Sequence, residues 1–266
     1  MANLNITVPK IDLLGMPLHA IRMQELIEYC DQAIIQRRNL VLGMINVAKL
    51  INSRTDPLLH RSVVRADVIA ADGQGIVWLS RLAGKPLPER VAGIDAMYAL
   101  MALADRKRYR VFFLGAKPST VRNVVEKTAK SYPGLKVAGY RDGYFDLEKD
   151  GRRVAQQIAG SRADILFVAM SSPKKELFVE RWKDSANVPV CHGVGGSFDV
   201  FSGGTKRAPR WMQKSGLEWF FRILQEPRRM WKRYLITNTA FLFLGLQEIV
   251  GSRLRSVRGV TAGEDR

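Results

Sequence analysis

Cysteine and histidine are scarce in this chain, with two and three residues in 266, and acidic groups are few, 25 against 42 lysines and arginines. Cys30 and Cys191 stand far apart and outside any C-x-x-C spacing, which excludes a disulfide framework or a cysteine-based zinc site and points to a reducing compartment. His19, His60 and His192 lack the spacing of metal ligands and read as structural. No Asp-x-Asp pair occurs, so the paired-carboxylate metal clamp is missing; chemistry with no metal and no cofactor is expected. Residues 1–12 lack the basic patch and apolar run of a secretion signal, which predicts a cytoplasmic protein. A long apolar run is missing as well. The stretch 235–250 is interrupted by Thr237, Asn238, Thr239, Gln247 and Glu248 and falls short of the ~20 residues that span a bilayer, so the sequence predicts no transmembrane helix.

What is present is a globular composition, 47% apolar and 25% charged, with a formal net charge of +17. So basic a surface attracts nucleic acid, anionic lipid or phosphate-bearing substrates, and charge alone does not choose among them.

Short apolar runs ending in glycine or small polar residues alternate with amphipathic segments, the pattern of β-α units around a mostly parallel, Rossmann-like sheet flanked by helices. Strands are predicted at 40–46, 68–71, 111–115, 165–170 and 188–193, and helices at 23–37, 75–82, 93–108, 118–132, 147–160 and 173–185. After about residue 205, Lys206, Arg207, Arg210, Lys214, Arg222, Arg228, Arg229, Lys232 and Arg233 interleave with Trp211, Trp219, Phe220, Phe221, Leu224 and Trp231. Cations beside aromatics on an amphipathic helix suit the boundary between water and an anionic membrane. The expected division is an α/β core at 1–204, a basic helical appendage at 205–251 and a disordered tail at 252–266.

Ligands of open α/β sheets sit beyond the carboxyl ends of the strands, which directs attention to five junctions. Asp72 follows a buried strand beside Gly73 and Gly75; local sequence leaves it either a helix N-cap or a carboxylate able to take a proton. Gly115-Ala116-Lys117-Pro118 is a small-residue turn with a cation and a proline opening a helix, suited to an anion but equally to an ordinary turn. Lys174 and Lys175 stand in a first helical turn, where the helix dipole disfavours cations unless an anion joins them. Gly193-Val194-Gly195-Gly196-Ser197-Phe198-Asp199 could stack a base or sugar on Phe198, or be a tight turn with a core aromatic. Asn46 closes the strand predicted at 40–46.

Taken in order, these blocks resemble the WecG/TagA/CpsF glycosyltransferase family. The landmarks are Ala71-Asp72-Gly73-Gln74-Gly75, Pro88-Glu89-Arg90-Val91-Ala92-Gly93, Val111-Phe112-Phe113-Leu114-Gly115-Ala116-Lys117-Pro118, Asp142-Gly143-Tyr144-Phe145 and Pro173-Lys174-Lys175-Glu176, then the glycine-rich turn and Lys206-Arg207-Ala208-Pro209-Arg210-Trp211. They cover about residues 11–234. The resemblance implies an inverting, metal-independent hexosyltransferase using a UDP-sugar and an undecaprenyl-diphosphate-linked sugar acceptor in cell-surface or exopolysaccharide synthesis, held peripherally at the cytoplasmic face of the inner membrane. It implies Asp72 as general base, with Asn46 kept in the first active-site loop, and Arg90 and Lys175 are candidate cations for the departing UDP. Gly73, Gly115, Lys117, Gly196, Phe198 and Asp199 would hold the donor, and Arg207, Arg210, Arg228 and Arg229 would form a lid over the departing diphosphate. Two positions depart from the family pattern: Met44 stands where Thr is usual, and Lys175 where Gln is usual.

The partners so implied are a UDP-sugar, a lipid-diphosphate acceptor and an anionic membrane surface, without nucleic acid; a homo-oligomer is left open. Two other readings stay on the table. A nucleic-acid-binding protein would use the basic aromatic-rich segment, and a non-catalytic membrane-surface adaptor would keep the segment but not the chemistry.

Overall fold

A computed structural model describes residues 5–261. A hairpin of β1 (Lys10–Leu13) and β2 (Met16–His19) precedes α1 (Met23–Ile35). The main sheet then forms from β3 (Leu40–Ile45), β4 (Val68–Ala71), β5 (Arg110–Gly115), β6 (Lys136–Arg141), β7 (Ile165–Ala169) and β8 (Val190–Gly193). All six are parallel, in the order β4-β3-β8-β7-β5-β6. Strands buried on both faces read as continuous apolar runs, and β4, β5 and β7 do.

Alternate residues of β5 and β7 serve opposite faces. Val111, Phe113, Ile165 and Phe167 pack with α1 and with α5 (Gly93–Lys107) and α6 (Pro118–Ser131) on one side. Phe112, Leu114, Leu166 and Val168 pack with α7 (Leu147–Gly160) and α8 (Lys174–Ala186) on the other. A third cluster joins the hairpin and β4 to α2 (Val47–Thr55), α3 (Pro57–Val64) and α4 (Gln74–Leu82).

Besides the N-terminal hairpin, four elements escape the sequence reading. The pair α2 and α3 is hidden in a stretch of mixed polarity, with Asn46 and Asp56 capping their N-termini and Pro57 at the first position of α3. The edge strand β6 is half-exposed throughout and interrupted by Gly139, where a Cβ would come within 2.7 Å of the Phe112 ring. The short α9 (Ser197–Ser202) begins within the glycine-rich turn.

At the end of β5, Gly115 has φ +118°, and a Cβ there would stand 2.3 Å from the carbonyl oxygen of Ala169. Backbone strain and a clash with an immovable neighbour combine, so Gly115→Ala is expected to cost about 3 kcal/mol or more of stability, read from urea unfolding midpoints. Gly115 therefore needs no ligand to explain it.

Beyond residue 205 the regular structure is helical: α10 (Arg210–Lys214), α11 (Glu218–Gln225) and α12 (Pro227–Thr261). The last of these continues past Ser252, where the sequence predicts a disordered tail; 252–261 carries no proline to stop it. Residues 262–266 of that expected tail lie outside the described residues. Within α12, Met230–Ser252 makes 23 residues of mean hydropathy 1.2, long and apolar enough to cross a membrane, which corrects the expectation that this stretch falls short.

One side of it packs on the core. Met230, Thr237 and Phe241 are buried on one side, and Gly245 allows contact with Leu79 of α4. Glu248 pairs with Lys85 at 2.8 Å. Trp231, Leu235, Leu242, Leu246 and Val250 recur at helical spacing on the opposite side and are exposed.

Candidate active site

Parallel β3 and β4 bring the two loops that follow them into contact. Asp72 N–H donates to the Ile45 carbonyl at 2.8 Å, and a Cβ on Gly73 would lie 3.5 Å from Asn46 Cα. Glycine is thus what lets the Asp72 loop close on the Asn46 loop. Asn46 turns out to be a cap: its side-chain oxygen accepts the Lys49 amide at 2.9 Å, so only its NH2 group remains to donate elsewhere.

Asp72 sits half-buried at the tip of β4 and does not cap α4, whose N-cap is Gly73. Burial pushes its carboxyl above the ordinary range, and repulsion from Glu218 adds to this. Arg90, Arg222 and the Gly93 amide that donates to it oppose the shift. Gly93 is itself held from the other side, its carbonyl accepting His192 Nε2 at 2.8 Å. Burial keeps His192 neutral, with its pKa lowered to about 4, so this buried histidine positions a loop.

The roof over Asp72 comes from the appendage. Gly216, between α10 and α11, seats against Trp78 and Gln74 of α4, where a Cβ would stand 3.0 Å from the indole. Arg90 donates to the Gln213 carbonyl and to Glu218 at 3.3 Å each, and Arg207 grips Asp95 through two hydrogen bonds of 2.6 and 2.8 Å. Two parallel guanidinium bonds fix orientation as well as charge. Arg207 is consequently a strut between appendage and core. Asp95, Glu218 and Arg222 are missing from the sequence-based site set, although Glu218 stands in the landmark Gly216-Leu217-Glu218-Trp219 and Arg222 in the basic segment: each gains its place from a residue more than a hundred positions away or from the fold of α11.

Lys175 lies near the tips of β3 and β8, its chain running beside Gly193, and is buried. Its neighbour Lys174 is occupied by the carbonyls of Gly143 and Phe145 at 3.0 and 2.6 Å. The glycine-rich turn divides. Gly196 is exposed and faces open space, and Asp199 is half-buried. Phe198 is fully buried, 5.8 Å from the Phe113 ring, which corrects the expectation that it stacks on a donor: the first turn of α9 points it into the core.

Lys117 belongs to a different place. With Pro118, Ser119, Arg122 and Tyr144 it lines an open groove of about 550 Å³. Four strand spacings separate β5 from β4, so this groove lies roughly 19 Å from Asp72. Arg210 and Arg228 are exposed on the appendage, and the side chain of Arg229 lies outside the described residues. The structure thus gathers Asp72, Gly73, Asn46 and Arg90 at one point, puts Lys175 beneath the neighbouring strand tips, and leaves Lys117 at the far end.

A strand-tip carboxylate with a raised pKa, roofed by arginine-bearing helices, can accept a proton from a hydroxyl while cations meet a departing anion. Comparison with known proteins agrees with the kind of chemistry. The chain is 45% identical over 180 residues to the N-acetylglucosaminyldiphosphoundecaprenol N-acetyl-beta-D-mannosaminyltransferase of Bacillus spizizenii, covering 68% of each chain. It is 39% identical over 210 residues to the protein of the same description from Bacillus subtilis, covering 79% of this chain and 80% of the relative. The glycosyl transferase WecG/TagA/CpsF family matches residues 11–255, and with the parallel sheet and the roofed strand-tip acid in place, the chain belongs to that glycosyltransferase family.

Proposed function

We propose that this glycosyltransferase moves N-acetylmannosamine from its UDP derivative to N-acetylglucosaminyl-diphosphoundecaprenol, at the cytoplasmic surface of the membrane and with inversion at the anomeric carbon. The observation that carries the reading is Asp72, a partly buried acid of raised pKa at a strand tip, enclosed by Arg90 and by Glu218 and Arg222 of α11. The choice of sugars follows the printed activities of the two Bacillus relatives.

In this scheme the ionised Asp72 takes the proton of the acceptor hydroxyl. The oxygen forms its bond to the anomeric carbon as the bond to UDP breaks on the opposite face, and the electron pair leaves with the diphosphate. Lys175, Arg90 and Arg222 are the cations at hand for that diphosphate. The donor lies along the strand tips, its sugar toward Asp72 and its nucleotide end toward the exposed turns at Gly196, Asp199 and the Lys117 groove.

The acceptor is lipid-borne, and the exposed apolar side of α12, continued by Trp211, Phe220 and Leu224, supports docking on a bilayer. One side of α12 is occupied by α2 and α4, which favours a helix lying in the interface over one crossing the membrane. The test is a panel of UDP-sugars with a lipid-diphosphate acceptor and mass analysis of the product. The added mass of an N-acetylhexosamine is expected; a hexose or hexuronic acid increment would replace the donor assignment, and no product from any donor would overturn the reading. Flotation with anionic vesicles against nucleic-acid retention at matched salt separates the membrane partner from the competing one, with flotation expected.

A further inference from the structure

Beneath the tips of β3 and β8 three charged side chains share one buried space. Lys49 Nζ donates to the Met44 carbonyl at 2.7 Å and pairs with Glu176 at 3.0 Å, and Lys175 pairs with Glu176 at 2.8 Å. Both lysines use the same carboxylate oxygen, Oε1, and Oε2 has no hydrogen-bond partner among the described residues. A cavity of about 40 Å³ adjoins them, lined in part by Met44, Cys191 and Gly193. Two ammonium groups with one carboxylate leave a net positive charge where charge is costly to bury, and such a cluster needs a reason beyond stability.

We propose that Glu176 and Lys49 are positioning residues of opposite sign that act through Lys175, together setting how firmly its ammonium keeps its charge at the donor diphosphate. The proposal rests on the reading above that Lys175 meets that diphosphate. Every neighbour fits it. Burial and then Lys49 depress the Lys175 pKa to about 8, Glu176 resists, and Arg233 of α12 depresses it further. His192 of β8, also nearby, is neutral and adds no charge at working pH. Conversely Glu176, raised by burial but lowered more by Lys49 and Lys175, falls to about 2 and is fully ionised. Without it, Lys175 would face Lys49 and Arg233 alone and shed its proton.

The experiment measures kcat/KM for the donor against pH, which reports groups of the free enzyme, with full-length protein on vesicles carrying the lipid-diphosphate acceptor. Wild-type activity is expected to fall as pH rises through about 8. Glu176→Gln should move that fall to lower pH by about one pH unit or more, a roughly tenfold loss at pH 8 that is recovered on acidification. Lys49→Met removes a repelling cation and should move it to higher pH, which keeps the idea testable should Glu176→Gln fold poorly. Lys175→Gln should abolish the alkaline fall, and in that background Glu176→Gln should change kcat/KM less than about twofold. A fall that persists in Lys175→Gln overturns both this proposal and the role given to Lys175. A fall lost in Lys175→Gln but unmoved in Glu176→Gln and Lys49→Met overturns the proposal alone.

Discussion

Asp72→Asn is expected to lower kcat by about a thousandfold, within the 10²–10⁴ range of a positioned general base, while UDP-sugar affinity measured by calorimetry changes little. The amide keeps the shape of the carboxylate and loses only its ability to take a proton. Stability should move the other way. Asp72 has a folded-state pKa above its ordinary value, so its contribution to folding is complete below that ordinary value and is lost as pH climbs through the raised one. At neutral pH the ionised carboxyl therefore opposes folding, and the Asn variant should melt at the same temperature as wild type or higher. Lost activity with undiminished stability is the mark of a group kept for chemistry; lost stability would instead make Asp72 a structural residue. The pH profile adds a second sign. Activity requires the ionised acid, so it should rise with pH through the raised Asp72 pKa, and Glu218→Gln, by removing a repelling carboxylate, should move that rise to lower pH.

Leu242→Glu combined with Leu246→Glu is expected to weaken binding to anionic vesicles by a hundredfold or more in a sedimentation assay. Both side chains are exposed, 67% and 64%, so the fold does not depend on them. Burying two leucines in a membrane interface contributes about 3 kcal/mol or more, which is about two decades in partitioning, and two added anions are repelled by the lipid charge. Turnover of a water-soluble acceptor analogue should persist while turnover of the vesicle-borne acceptor falls. Unchanged vesicle binding would show that α12 does not meet the bilayer through this side.

These expectations draw unequally on sequence and fold. The parallel sheet was legible because strands buried on both faces are continuous apolar runs: β4 falls at 68–71 as read, and α7 at 147–160. Elements with weak contrast were not, and the half-exposed β6 and the capped pair α2 and α3 are the examples. The span-length character of α12 was hidden by polar residues such as Thr237 and Glu248, which read as interruptions in one dimension and lie on the packed side in three.

The site divides in the same way. Sequence by itself determined that an acid follows a buried strand, that glycines flank it, and that a strongly basic, aromatic-rich segment ends the chain, since each of these is local chemistry. Only the tertiary structure decided what the acid faces. Arg90, Glu218 and Arg222 surround Asp72, Arg207 is spent on Asp95, Phe198 turns into the core, and Lys175 shares one carboxylate with Lys49. The physical reason is that charge state and direction depend on groups brought near by packing, across separations in the chain that no local pattern encodes.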